Sequence, residues 1–407
     1  MKYAYKAVNI NGKEAEGVVE ARDKKTALLT LRDRSLFPTE LKEVKPMSAL
    51  NIDIGSSKIP KKALGVFCSQ FATILKAGVP TAQALGIIAE QTEHKRLKAI
   101  LFTVNEDIQK GFTLSQAIGQ HQKSFPDILV SMIEAGEASG TLDTSLERLA
   151  LQFDKENKLR EKVKAAVTYP IIVGSLAVLI VVALMIFVVP LFVSIFAQMQ
   201  AELPPLTKAI LAISDFIRNQ WPLIICFIAL LVLLWKTYKR SATGRMQLDK
   251  IKLRLPIFGK ISLKLLAAQF SRTLCTLISS GVPLTDSMLI TGRAVSNRFA
   301  ERKVEYVAEQ VKEGKTLSSS FAQMQLLPNM LVQMTKIGEE SGTLDYMLER
   351  TADYYEMEAE SAIQRLTTLL EPLMILFVGG LVLLIALSIL TPVFQMSQNV
   401  SNYMNKQ

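Results

Sequence analysis

At 407 residues the chain is long enough for two or three domains, and 49% of it is hydrophobic, more than a purely soluble protein of this size needs for its core. The formal charge of +10 raises the question of nucleic acid, but the basic residues lie beside apolar segments and are not interleaved with aromatics, which argues against direct nucleic-acid binding. Two histidines and three cysteines without ligand spacing leave a His-based triad or metal centre without support, and Gly259-Lys260 lacks the earlier glycine of a phosphate-binding loop.

Residues 1–45 read as a small ββαβ module. Tyr3 to Val8 alternates, Asn11-Gly12 is a hairpin turn, and Gly17 to Ala21 forms the returning strand. Asp23 caps a helix carrying Ala27, Leu28 and Leu31, and a last strand follows Pro38. The polar N-terminus has no signal-peptide character, so it is expected in the cytoplasm. Residues 46–62, with Pro46, Pro60 and Gly55-Ser56-Ser57, form a polar linker.

The remainder is a duplication. Gly78-Val79-Pro80 returns as Gly281-Val282-Pro283, and Gly111, Thr113 and Leu114 return as Gly314, Thr316 and Leu317, all at an offset of 203. From Pro126, matched by Pro328, the offset becomes 202, so Gly136-Glu137-Ala138-Ser139-Gly140-Thr141-Leu142-Asp143 returns as Gly338-Glu339-Glu340-Ser341-Gly342-Thr343-Leu344-Asp345. Each copy is all helical: in the first, apolar spacing places helices near 61–76, 81–92, 95–110, 113–119, 126–136 and 141–164, with repeat 1 spanning 63–168 and repeat 2 spanning 265–370.

Three apolar runs follow. No Asp, Glu, Lys or Arg occurs from Ala165 to Ala201, and a span is placed over 169–197 with Pro190 as a kink point. A second covers 222–238 and a third 371–395, with Tyr169-Pro170 and Glu371-Pro372 marking the membrane approach as helix boundaries. Basic residues crowd 155–164 and the 239–264 connector, whereas the 198–221 loop is nearly balanced. The positive-inside rule therefore puts the N-terminus and both repeats in the cytoplasm and the loop and the 396–407 tail outside.

The duplicated Gly-Glu-x-Ser-Gly stretch has two readings. In the mechanical one, Gly136, Gly140, Gly338 and Gly342 permit a close helix corner, Ser139, Thr141 or Ser341 caps the next helix, and Asp143 and Asp345 sit in its first turn. In the other, Glu137 and Glu339, with Glu147, Arg148, Glu349 and Arg350 on the following helices, are candidate partner contacts.

Two such repeats, each carrying Gly-Val-Pro and Gly-Glu-x-Ser-Gly-Thr-Leu-Asp and each leading into a membrane helix, resemble the inner-membrane platform proteins of type II secretion and type IV pilus systems. The resemblance also covers Tyr5-Lys6-Ala7, Gly12-Lys13 and Leu370-Glu371-Pro372. It implies a mainly α integral membrane protein without a catalytic centre or cofactor, a bacterial inner-membrane location, and a homo-oligomer. It further implies partners in a cytoplasmic assembly ATPase, pilin or pseudopilin subunits, other inner-membrane assembly proteins and the lipid bilayer. The alternative is a small-solute permease subunit, which would need polar midplane residues or more spans; a membrane-anchored adaptor would leave the duplication unexplained.

Overall fold

The computed structural model describes residues 2–9, 14–20, 36–44, 58–188, 190–191 and 205–404. It divides into two units, Met1–Lys58 and Ile59–Gln407. In the first, β1 (Lys2–Asn9), β2 (Glu14–Glu20) and β3 (Leu36–Val44) form an antiparallel sheet in the order β2-β1-β3. Strand β3 starts before Pro38. An edge strand tolerates proline, and the register shifts at this point, with Lys6 opposite Glu40 and Ala7 opposite Pro38. The Asn11-Gly12 turn and the helix expected after Asp23 lie outside the described residues.

The second unit contains both repeats. Repeat 1 is α1 (Lys61–Lys76), α2 (Thr81–Gln91), α3 (Lys95–Gln109), α4 (Leu114–Gly119), α5 (Asp127–Ser139) and α6 (Leu142–Ala183). Next come α7 (Pro205–Arg240) and α8 (Ala242–Arg254). Repeat 2 is α9 (Phe258–Ile278), α10 (Leu284–Ala294), α11 (Arg298–Lys312), α12 (Leu317–Met324), α13 (Asn329–Ser341) and α14 (Leu344–Met404). Each repeat has its own core, one around Phe67, Phe71, Leu101 and Phe153, the other around Phe270, Phe321, Leu331 and Leu348. Burying each such Phe or Leu contributes about 1.5–3 kcal/mol. The register of the duplication holds in three dimensions: Lys61 pairs with Glu156 in one repeat, and Lys264 pairs with Glu358 at the same positions in the other.

Five expectations are corrected. Repeat 2 begins at Phe258, not Leu265, because the proline that starts α1, Pro60, has become Leu263 in the second copy, and the helix runs back to the break at Pro256. The connector is itself helical: Asp249 of α8 accepts the Arg298 backbone N–H at 3.0 Å and docks α8 on α11. The loop expected over 198–221 is helical from Pro205, and the chain bends at Gln220 (φ −117°, ψ 22°), two residues before Pro222. Finally, Tyr169-Pro170 and Glu371-Pro372 are not helix boundaries. Helices α6 and α14 run straight through them, since a proline inside a long helix removes one hydrogen bond without ending it. Likewise the 396–407 tail is helical as far as Met404.

Ahead of Pro190, residues Leu184–Val188 take a π-helical turn, and the Ser214 hydroxyl of α7 donates to the Met185 carbonyl at 2.6 Å. A side chain thereby satisfies a backbone group in an apolar segment, where water is not at hand.

Among the described residues, three helices are long and apolar enough to cross a membrane by length and composition: Leu142–Val188, Phe258–Ile278 and Leu344–Leu383. The middle one is a bundle helix, with 61% of its apolar window buried against 11% and 0% in the other two. Its place as an unpartnered apolar surface is taken by α7, whose Leu223, Phe227, Leu233 and Trp235 are all exposed.

Candidate functional site

The duplicated corner joins α5 to α6 and α13 to α14. Gly140 and Gly342 close their helices in the left-handed conformation, at φ 72° and 70°, and the Thr141 and Thr343 N–H groups return to the Gly136 and Gly338 carbonyls at 2.9 and 3.0 Å. Gly136 and Gly338 are needed for a different reason. A Cβ on Gly338 would stand 2.8 Å from the Leu344 Cα, and one on Gly136 would stand 2.7 Å from the Ser145 Oγ. Asp143 and Asp345 occupy the first turns of α6 and α14. Ser139 and Ser341 do not cap those helices. Their hydroxyls donate back to the Ala135 and Ile337 carbonyls at 2.7 Å each, and the Thr141 side chain makes no cap hydrogen bond to α6. Gly338→Ala is expected to cost about 1–3 kcal/mol as overpacking against backbone, and Gly136→Ala less, because the Ser145 hydroxyl can turn away and the remaining backbone contact, to the Leu142 Cα at 3.0 Å, is looser than the 2.8 Å at Gly338. Thermal melts of the two purified variants check the order.

Glu137 and Glu339 face inward. The Glu137 carboxylate accepts the Leu114 and Ser115 backbone N–H groups at 2.6 and 2.9 Å; Glu339 does the same with Leu317 and with Ser318, the latter at 2.8 Å. Thr113 already takes the next N–H of α4, and Gln116 returns the favour to Thr113, completing a capping box. The first three N–H groups of this six-residue helix are thus all filled, two of them by a charge placed where the helix dipole favours it. These two glutamates clamp a short helix within their own bundle.

Of the other candidate contacts, Arg148 also works internally. Its guanidinium donates to the Ser279 carbonyl at the end of α9. Glu147 is exposed and pairs with Lys76 at 2.6 Å, whereas Glu349 is exposed and Arg350 lies over the Tyr346 ring at 5.0 Å. At the Gly-Val-Pro corners Gly78 and Gly281 adopt φ 80° and 81°, and Pro80 and Pro283 immediately precede α2 and α10.

The junction between the repeats is the largest polar feature that the motifs did not disclose. From α6, buried Gln152 donates to the Thr273 hydroxyl and accepts from Thr276, both at 3.1 Å. Lys155 lies 3.0 Å from Asp353 and 3.6 Å from Glu356. Arg272, nearly buried on α9, forks onto Glu356 at 2.9 and 3.0 Å and also holds Asp353. Burial works against charge at Asp353, yet the hydrogen bonds from Arg272 and Lys155 outweigh it and keep this carboxyl below the usual carboxylate range. One signal was readable: an arginine stands in α9 where the first copy has Ser69. Elsewhere Cys68 is buried and its thiol pushed up by desolvation, as befits an inert core residue. His94 caps α3 by accepting the Leu97 N–H at 3.2 Å.

The geometry defines a class: a membrane-anchored helical scaffold, two bundles wedded to long apolar helices. Its relatives are specific. The family described as Type II secretion system (T2SS), protein F matches residues 67–190 and again 270–392, with the same 203-then-202 spacing as the motifs, and the N-terminal domain of that protein matches residues 1–42. The chain is 38% identical to the type IV pilus assembly protein PilC of Thermus thermophilus over 98% of its length and 99% of the relative's. It is 35% identical to the PilC of Myxococcus xanthus (97% and 95% covered) and 33% identical to the type II secretion system protein F of Vibrio cholerae (98% and 99% covered). The chain belongs to the type II secretion system protein F family.

Proposed function

We propose that this chain is the non-enzymatic inner-membrane platform of a type IV pilus or type II secretion machine, coupling a cytoplasmic assembly ATPase to the placing of pilin or pseudopilin subunits in the filament. The observation that carries the reading is mechanical. Helices α6 and α14 leave their bundles and enter long uncharged runs without a break, so movement imposed on a bundle reaches the membrane through continuous helix. The names of the relatives, which speak of pilus assembly and of secretion, support the same reading and give none to a solute permease. Spans over 169–197, 222–238 and 371–395, a cytoplasmic ββαβ module and cytoplasmic bundles, with the C-terminus outside, complete the proposal. The basic residues at 155–164 and 239–254 are its support.

Deletion of the gene is expected to abolish filaments or secretion, and full-length protein purified in detergent is expected to capture an assembly ATPase from the same cells. Normal filaments and secretion in the deletion strain would refute the reading. Reporter fusions at Met1 and Gln407 test the topology, which fails if both ends report the same side.

A further inference from the structure

The junction between the two repeats is not symmetric, and among the described residues it leaves one copy of each of its halves unused. Repeat 1 contributes the outer face of α6 (Arg148, Gln152, Lys155), and repeat 2 receives it in the groove between α9 and α14 (Thr273, Thr276, Asp353). A two-fold relation would bring the equivalent face of α14 into the equivalent groove between α1 and α6 of the same chain. It does not: Gln152 is 1% exposed but its equivalent Tyr354 is 39% exposed, and the equivalent of Lys155, Met357, is 61% exposed. On the receiving side Thr273 and Thr276 are buried, while their equivalents Gln70 and Thr73 are exposed and line an open groove of about 540 Å³ with Val66 and Leu151. The contact is head-to-tail, with a knob left over at one end of the chain and a groove at the other.

We propose that a second copy of this chain fills that vacancy, its α14 face seating in the α1/α6 groove as α6 seats in the α9/α14 groove within the chain. The substitutions between the copies fit this occupant. Where the internal junction sets Lys155 against Asp353, the vacant surfaces set Met357 against Leu151, which is 59% exposed. Along the same junction Ala135 and Ile290 line the seam between α5 and α10; the corresponding unpartnered positions are Ile337 and Ile87, exposed by 47% and 37%. At the Lys155–Asp353 position both halves of the vacant contact have thus become apolar, and Ala135 has become the larger Ile337, while Ile87 keeps the apolar character of Ile290 and the groove around Leu151 keeps Lys76, Glu147 and Asp154. Tyr354 comes to lie against Gln70 and Thr73, and Arg350 meets the Lys76–Glu147 pair. A head-to-tail contact repeats without limit unless it closes, and copies anchored in one bilayer stay in its plane, so the series ends as a ring.

The test is cross-linking of the full-length protein in membranes, with exposed Cys226 replaced by Ala and Cys68 and Cys275 left in the core. A mixture of one tagged chain carrying Leu151→Cys and another carrying Met357→Cys is expected to oxidise to a product at twice the 45.1 kDa chain mass, and neither chain alone should form it. The double variant should give a ladder. Lys155→Cys with Asp353→Cys, which links within one chain, shows that the fold and the oxidation are sound. Failure of the mixed pair while this control links overturns the proposal and leaves the groove to a different protein; self-linking of either single variant overturns it too, since that requires a two-fold contact. Neither outcome bears on whether the chain serves secretion or pili, which the deletion phenotype decides.

Discussion

Arg272→Ala should destabilise the protein by about 3 kcal/mol, the low end for removing one partner of a buried ion pair, because Asp353 keeps some solvent and still has Lys155. The loss arises at both carboxylates together. Arg272 is 7% exposed, spans Asp353 and Glu356, and cannot be replaced by water at that depth. Arg272→Lys should recover part of the loss but not all, because an ammonium cannot make the forked contact with Glu356. Thermal melts of the detergent-solubilised variants, repeated in a Lys155→Ala background, give the coupling. Equal stability of Arg272→Ala and wild type would mean that the bundles are held by their apolar contacts alone. The sign of the pH dependence follows from Asp353: its carboxyl is lowered in the folded protein, so its contribution is full above the ordinary carboxylate range and disappears as the pH falls through the lowered value. Acid below about pH 4 should therefore shrink the difference between wild type and Arg272→Ala.

The second large effect is expected at the glutamate clamps. Glu137→Ala and Glu339→Ala each leave two backbone N–H groups at a helix start without their acceptor, at a cost of about 2–3 kcal/mol apiece. The two sit in separate cores, so their losses should nearly add. Glutamine keeps one carbonyl acceptor and should fall between. Limited proteolysis is the sensitive readout, with new cleavage expected at 112–119 in the first variant and 315–324 in the second. Unchanged protease resistance in the double Ala variant would rule out the clamp. A charge reversal at these positions reports on folding first, and any loss of a partner has to be weighed against that.

These residues show where the sequence speaks and where it is mute. The corner was readable because left-handed backbone needs glycine, and Gly78, Gly140, Gly281 and Gly342 announce it by themselves. The duplication was readable because it is a matter of spacing. The clamp was hidden, since Glu137 and the N–H groups it holds are 22 and 23 residues apart and nothing in a sequence marks a carboxylate as capping a helix other than its own. The helix boundaries expected at Pro170 and Pro372 failed for a related reason: proline is a local argument for a break, and α6 runs beside α14 through this point, with Lys162 paired to Glu360 before the prolines and Met374 close to Gly174 after them. The junction lay furthest from view, because equivalent residues do different things in the two copies. Lys155 is bridged to two acids while Met357, its counterpart, faces outward.

The unbroken passage of α14 through Pro372 makes it a rocker arm. Its 61 residues extend roughly 90 Å, of which about 40 Å lies on the bundle side of Pro372. Helix α6 is fastened to it at both ends of the stroke, by Lys155 and Lys162 to Asp353 and Glu360 near the bundles and by the close approach of Met374 to Gly174, 3.6 Å from where a Cβ would be, in the apolar part. With the pair held in this way, a swing of about 5° carries the bundle end by some 3–4 Å, tilts the apolar half through the same angle and moves its far end in the opposite direction. A small displacement at the bundle end thus becomes a change of inclination in the apolar half.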